Sequence, residues 1–156
     1  MQPLVTEAMK KAAIAWLSVD GQPAYAVWCL WVEDALYVVS GPGEQPAPGL
    51  AGASTVEVSA RGDHGGRIVT FRASVTQVPA DDPALPQLAA KRLNSASIET
   101  LVDRWGADNV VSRLEPVEVL DIPDGSQAAP PPPTPAARAT RLPLRLHRVR
   151  APGRRP

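Results

Sequence analysis

The sequence predicts a mainly β fold, a β-barrel with flanking helices. Three observations carry this. Short apolar runs with a two-residue period recur between residues 14 and 78, turn-forming clusters separate them, and a helical period replaces them after residue 80. The chain has 156 residues, enough for one domain with a proper core and hardly for two.

The elements follow in order. Thr6 is expected to cap a short helix running to Ala12, with Glu7 in its first turn. "AAIAWLSV" (12–19) reads as a strand and "DGQP" after it as a turn. The run "AYAVWCLWV" (24–32) is apolar on both faces. Ala24, Ala26, Trp28, Leu30 and Val32 point one way; Tyr25, Val27, Cys29 and Trp31 point the other. Such a strand has to be covered on both sides, by core on one and by something else on the other. "ED" makes the next turn, and "ALYVVS" (35–40) returns as an antiparallel neighbour. "STVEVSAR" (54–61) turns Val56, Val58 and Ala60 inward. After the turn "GDHGG", "RIVTFRASVTQV" (67–78) buries Val69, Phe71, Ala73 and Val75. These five strands are expected in meander order, closing or nearly closing a barrel. A helix then starts at Asp82 and Pro83 and continues through "PQLAAKRLN". Ser97 caps a second helix that ends at Trp105, with Gly106 beyond it. "VVSRLEPVEVL" (110–120) is the last strand, and Pro116 sets it at an edge or a bulge.

Charge divides the chain in two. Residues 1–121 hold nine Lys and Arg against fifteen Asp and Glu, a net of −6; residues 122–156 hold seven arginines and one acid, a net of +6. The second part also carries nine of the eighteen prolines, with "PPPPTP" at 130–135, and has too few apolar residues to fold alone. The expected organisation is a folded domain over 1–122 and a disordered Pro/Arg-rich tail over 123–156. Arg, Pro, Ala and Leu dominance is also what a GC-rich gene yields when read out of frame. Removing residues 128–156 is expected to leave the thermal midpoint and any cofactor affinity essentially unchanged. The acidic folded part disfavours nucleic acid as a partner. No stretch of about 18 uninterrupted apolar residues occurs, so no membrane span is expected, and the N-terminal residues lack the order of a secretory signal. A cytoplasmic location fits.

Several motifs carry less chemistry than they suggest. Cys29 is alone and lies in an apolar run, which makes it a buried hydrophobe rather than a thiol nucleophile. "RGD" at 61–63 is a polar turn. "HGG" at 64–66 lacks the G-x-S-x-G elbow that would make it an oxyanion loop. His64 and His147 are the only histidines, and no metal-ligand spacing exists. Asp81 and Asp82 are helix-start residues rather than an acid–base pair. Hydrolase and metalloenzyme chemistry are both excluded.

"GPGEQPAPG" (41–49) follows the strand "ALYVVS" directly, where many folds hold a phosphate. It has no Lys or Arg. The N–H groups of Gly41 and Gly43 could form an anion nest, with charge from Arg61, Arg67 and Lys91. The alternative is a Pro-rich turn packed on the barrel mouth. Trp28 reads either as core or interface packing or as a stacking surface, and Arg67 as a solvated strand-end charge or an anion ligand.

The runs "AWLSVDGQPAYAVWCLWVEDALYVVSG", "STVEVSAR" and "RIVTFRASVTQV" resemble the pyridoxamine 5′-phosphate oxidase-like flavin-binding proteins over residues 12–120. The resemblance implies a six-stranded split β-barrel and a homodimer with FMN, or deazaflavin F420, at the dimer interface. It implies an oxidoreductase acting on an unidentified small molecule. The face of Tyr25, Val27, Cys29 and Trp31 would then meet the partner chain. Implied cofactor contacts fall at Val27, Trp28, Ser40, Gly41, Gly43, Gln45, Arg61, Arg67 and Lys91, with no catalytic residue and no metal assigned. The sequence departs from the family where Ala26 and Trp31 replace an Arg and a Lys, and where Gly43, Glu44 and Gln45 replace the phosphate-gripping Ser-Arg-Lys. Glu44 would repel a phosphate unless it turned outward. A second reading is therefore a non-catalytic split-barrel dimer that has lost the phosphate site and serves as a binding or structural module.

Overall fold

The computed structural model describes residues 3–63, 65–92 and 97–123. Helix α1 (Pro3–Lys11) starts at Pro3, so Thr6 lies inside it rather than at its cap. The fixed φ of proline suits a first helical turn, where its missing N–H has no intrahelical partner to lose. Val5, Ala8 and Met9 form its buried stripe at helical spacing.

Among the described residues seven strands follow: β1 (Ile14–Ser18), β2 (Tyr25–Trp28), β3 (Leu30–Val32), β4 (Ala35–Ser40), β5 (Thr55–Arg61), β6 (Arg67–Gln77) and β7 (Val110–Asp121). They form one antiparallel sheet in the order β2-β1-β5-β6-β7-β4-β3. β2 and β3 are halves of the single apolar run, interrupted only at Cys29, yet they sit at opposite ends of that order. One segment thus belongs to both ends of the sheet and curls it into a split barrel. Counted as one strand, β2–β3 reduces the seven to the six expected.

Hairpin turns are where the residues placed them. Asp20 and Gly21 take φ of 50° and 70° within a longer β1–β2 connection, and Glu33 and Asp34 take 46° and 63°, the left-handed pair that matches strand twist in the two-residue β3–β4 hairpin. The meander order does not hold. β5 pairs with β1 instead of β4, and β7 enters between β6 and β4. Local turns dictate only hairpin neighbours; across the long 41–54 connection the pairing is decided by which apolar rows can share one core.

Two cores result. Inside the barrel, Leu17, Val27, Cys29, Val38, Val58, Phe71 and Leu114 pack with Met9 of α1. Outside β3, β4 and β7, the residues Val32, Tyr37, Val39 and Val111 pack against α2 (Ala84–Lys91) and α3 (Ile98–Asp108) through Leu85, Leu88, Leu101 and Trp105. This accounts for residues 27–32 of the doubly apolar run, Ala24 and Ala26 being exposed, and it corrects the expected dimer face. Val27, Cys29 and Trp31 are 1 %, 4 % and 8 % exposed within a single chain, so they are barrel interior and not an interface.

Ser97 caps α3 as expected, its Oγ accepting from the Thr100 N–H at 3.2 Å. The helix does not stop at Trp105: Gly106 lies within it, and a Cβ there would come 3.0 Å from the Ala80 Cβ. The glycine serves a close approach, not a cap. The Asp82 carboxylate accepts from the Ala84 N–H at 2.8 Å at the start of α2. Pro116 pairs with Ala73 beside a register shift, beyond the last β4–β7 pair at Leu114, so its missing N–H falls at a bulge on a locally one-sided stretch. The expectations for His64, for helical residues 93–94 and for the tail beyond Pro123 lie outside the described residues.

Candidate functional site

The loop from β4 to β5 has to pass two intervening strands, and its composition shapes that passage. Gly41, Gly43 and Gly49 adopt φ of 118°, 75° and 77°, conformations that L side chains resist. Gly41 is also closed in sterically, since a Cβ there would meet Asn109 Nδ2 at 2.9 Å. The Asn109 amide donates to the carbonyls of Ser40 and Pro42 at 3.3 and 3.0 Å, tying the loop to the start of β7. Further on, Leu50 is fully buried in the barrel core, and the Tyr25 hydroxyl donates to the Pro48 carbonyl at 2.9 Å.

Glu44 turns inward. Its side chain is 0 % exposed, and it is neutralised rather than repelled. Oε2 accepts from Arg92 at 2.9 Å; Oε1 accepts from Arg104 and, at 3.0 Å, from the Trp105 indole N–H. Arg92, just past α2, stacks on the Trp28 ring at 3.7 Å. One carboxylate thus joins the barrel loop to both helices of the outer layer.

Gln45 fills the split in the barrel. Where the apolar run leaves β1 for β4, Trp28 still pairs in register with Ile14 of β1, while its N–H and C=O are met by a side chain. Gln45 Oε1 accepts from the Trp28 N–H at 2.8 Å, and Nε2 donates to the Trp28 and Val39 carbonyls at 2.8 and 3.3 Å. A primary amide does this because it carries both an acceptor and two donors.

The other expected contacts scatter. Val27 is barrel interior. The Gly41 N–H is used within the loop, donating to the Gln45 carbonyl at 3.0 Å, and the Ser40 hydroxyl faces the Val110 carbonyl at 3.5 Å. Arg61 lies over the Trp16 ring at 4.2 Å on the outer face of the barrel. Arg67 forms a half-exposed ion pair with Asp121 at 3.5 Å. Lys91 donates to the Trp31 carbonyl at 3.1 Å. Trp28, Gly43 and Gln45 come together at the Glu44 centre; Arg61, Arg67 and Lys91 do not join them. Sequence reasoning missed Arg92, Arg104, Trp105 and Asn109, which lie 48 to 69 positions from their loop partners. The only local signal was an acid in a loop without a nearby base.

Cys29 is buried, and desolvation pushes its thiol up to about 12, so it is a neutral packing group. Among the described residues no cluster of His, Cys, Asp and Glu could hold a metal ion, and no helix is long and apolar enough to cross a membrane.

No protein-family model matches the sequence, and no curated protein matches it. Solved structures do. The heme storage protein HutZ of Vibrio cholerae aligns with a TM-score of 0.57 at 20 % identity, over 78 % of this chain and 93 % of that one. A provisionally assigned pyridoxamine 5′-phosphate oxidase of Listeria innocua aligns with a TM-score of 0.50 at 14 % identity, over 74 % and 93 %.

A flavin phosphate does not fit the loop as built. A phosphate held there needs free charged donors. The two guanidinium groups at the loop already face Glu44, and the Gln45 amide and the Gly41 N–H are committed to protein acceptors. The closed β2–β3 seam, the sheet order and these alignments together give the chain the split-barrel fold of the pyridoxamine 5′-phosphate oxidase-like proteins.

Proposed function

We propose that the chain is a homodimeric split-barrel module that binds without gripping a flavin phosphate at its β4–β5 loop. The observation that carries this reading is the enclosed Glu44 side chain. A phosphate brought to the loop would meet a carboxylate where a phosphate site needs a free guanidinium. Gln45, at the position of a phosphate-gripping lysine, serves the barrel seam instead. The buried, unpaired Cys29 suits a reducing cytoplasm. The test is a titration of the full chain with FMN and with F420, followed by the fluorescence of each. No binding at micromolar concentration is expected, and micromolar affinity for either would overturn the reading.

Such affinity would favour a second reading, an FMN- or F420-dependent oxidoreductase acting on a small molecule. It draws on the fold and on the outer barrel face, where Trp16 carries the Arg61 guanidinium and Arg67 lies at the start of β6. There the protein would position the cofactor and the cofactor would supply the redox chemistry. Its phosphate would need Arg61 or Arg67 in place of the loop.

A further inference from the structure

Three N–H donors from two distant segments converge on Glu44: Arg92 at 2.9 Å, Arg104, and the Trp105 indole at 3.0 Å. Among the described residues two guanidinium groups face one carboxylate, a formal excess of one positive charge. Among the described residues the Nε atoms of both Arg92 and Arg104 are buried, out of reach of a ligand from solvent, and have no hydrogen-bond partner. The arginine side chains are 25 % and 33 % exposed, so solvent reaches the rim. The donors are held in place: the Arg92 guanidinium lies over the Trp28 ring, and Trp105 is 1 % exposed in the second core.

We infer that this centre is an oxyanion cradle whose ligand is built in, Glu44 holding the place that a free carboxylate or phosphate would take. The fork geometry of guanidinium and a third N–H suit the planar carboxylate and tetrahedral phosphate alike. The inference rests on the cradle and not on the module reading. A wild type that bound FMN elsewhere would end that reading and leave this one standing.

Glu44→Ala in the full chain empties the cradle and keeps all three donors. Its thermal midpoint is expected to fall by roughly 5 °C or more, because two arginines lose their buried partner. Sodium acetate or sodium phosphate, at roughly tens of millimolar, should restore at least half of the loss by binding the folded state. Sodium chloride at matched ionic strength should not. Recovery by acetate alone assigns a carboxylate cradle, and recovery by phosphate a cradle that takes phosphate too. The wild type should respond to neither, and Glu44→Ala/Arg104→Ala should lose the response. Equal recovery by chloride, or no recovery by either anion, overturns the inference. A Glu44→Ala chain that is unfolded in dilute buffer and that neither anion folds overturns it as well.

Discussion

Gln45 and Cys29 lie at the same place in the fold, where the run 25–32 changes partners, and each acts through a single group. The Gln45 amide meets both the N–H and the C=O of Trp28 at the end of β2. Gln45→Ala leaves the Trp28 N–H and C=O without partners at a part-buried site, at a cost of about 1–3 kcal/mol. Urea denaturation should show a lower midpoint at unchanged slope. Cys29 contributes by staying neutral. Its folded thiol is raised to about 12 from an ordinary 9.0 by desolvation, so the folded state holds its proton over a range in which the unfolded chain releases it. The thiol's contribution to stability is therefore whole below pH 9 and lost progressively as pH climbs toward 12. At pH 8 the folded thiol should resist a thiol reagent and react only as the chain unfolds; rapid labelling of the native protein would contradict this burial.

At the scale of elements, α3 illustrates how a residue that normally ends a helix can serve inside one. Gly106 permits the approach of Ala80, which a Cβ would contest at 3.0 Å. Gly106→Val should destabilise the protein by about 1–3 kcal/mol through overpacking. Ala80→Gly in the same chain should recover part of that loss, and no recovery would place the strain elsewhere. The Ser97 cap is a smaller effect of the same element. Ser97→Ala removes the acceptor of the Thr100 N–H and should cost about 1 kcal/mol by thermal denaturation.

At the scale of the molecule, residues 27–32 of the doubly apolar run are packed within one chain, by barrel core on one face and by the second core of α2 and α3 on the other, while Ala24 and Ala26 stay exposed. Trp31→Glu is therefore expected to unfold the monomer, with loss of near-ultraviolet dichroism, and not to release a folded subunit. The proposed dimer has to use another surface. Exposed Ile14 on β1 and Ile68 on β6, 47 % and 36 % exposed, flank the outer sheet face that bears Trp16. Sedimentation of the wild type at micromolar concentration should show a dimer, and Ile14→Asp/Ile68→Asp a folded monomer. A dimer that survives both changes would move the interface off this face.

The residues by themselves determined the strands, the buried faces of the alternating ones, the turns at 20–21 and 33–34, the Ser97 cap and the mainly β barrel. Each of these depends on a period or a turn within a few neighbours, and short-range sterics and burial decide them. Only the tertiary structure decided which strands pair across the 41–54 loop, which face of residues 24–32 is interior, and why helix α3 runs through Gly106. It also decided that Glu44 turns inward. The partners of Glu44 lie 48 to 61 positions away, and a charge becomes a buried ion pair only when folding brings its counter-charges to it. The same acid in an unpaired loop would have faced water.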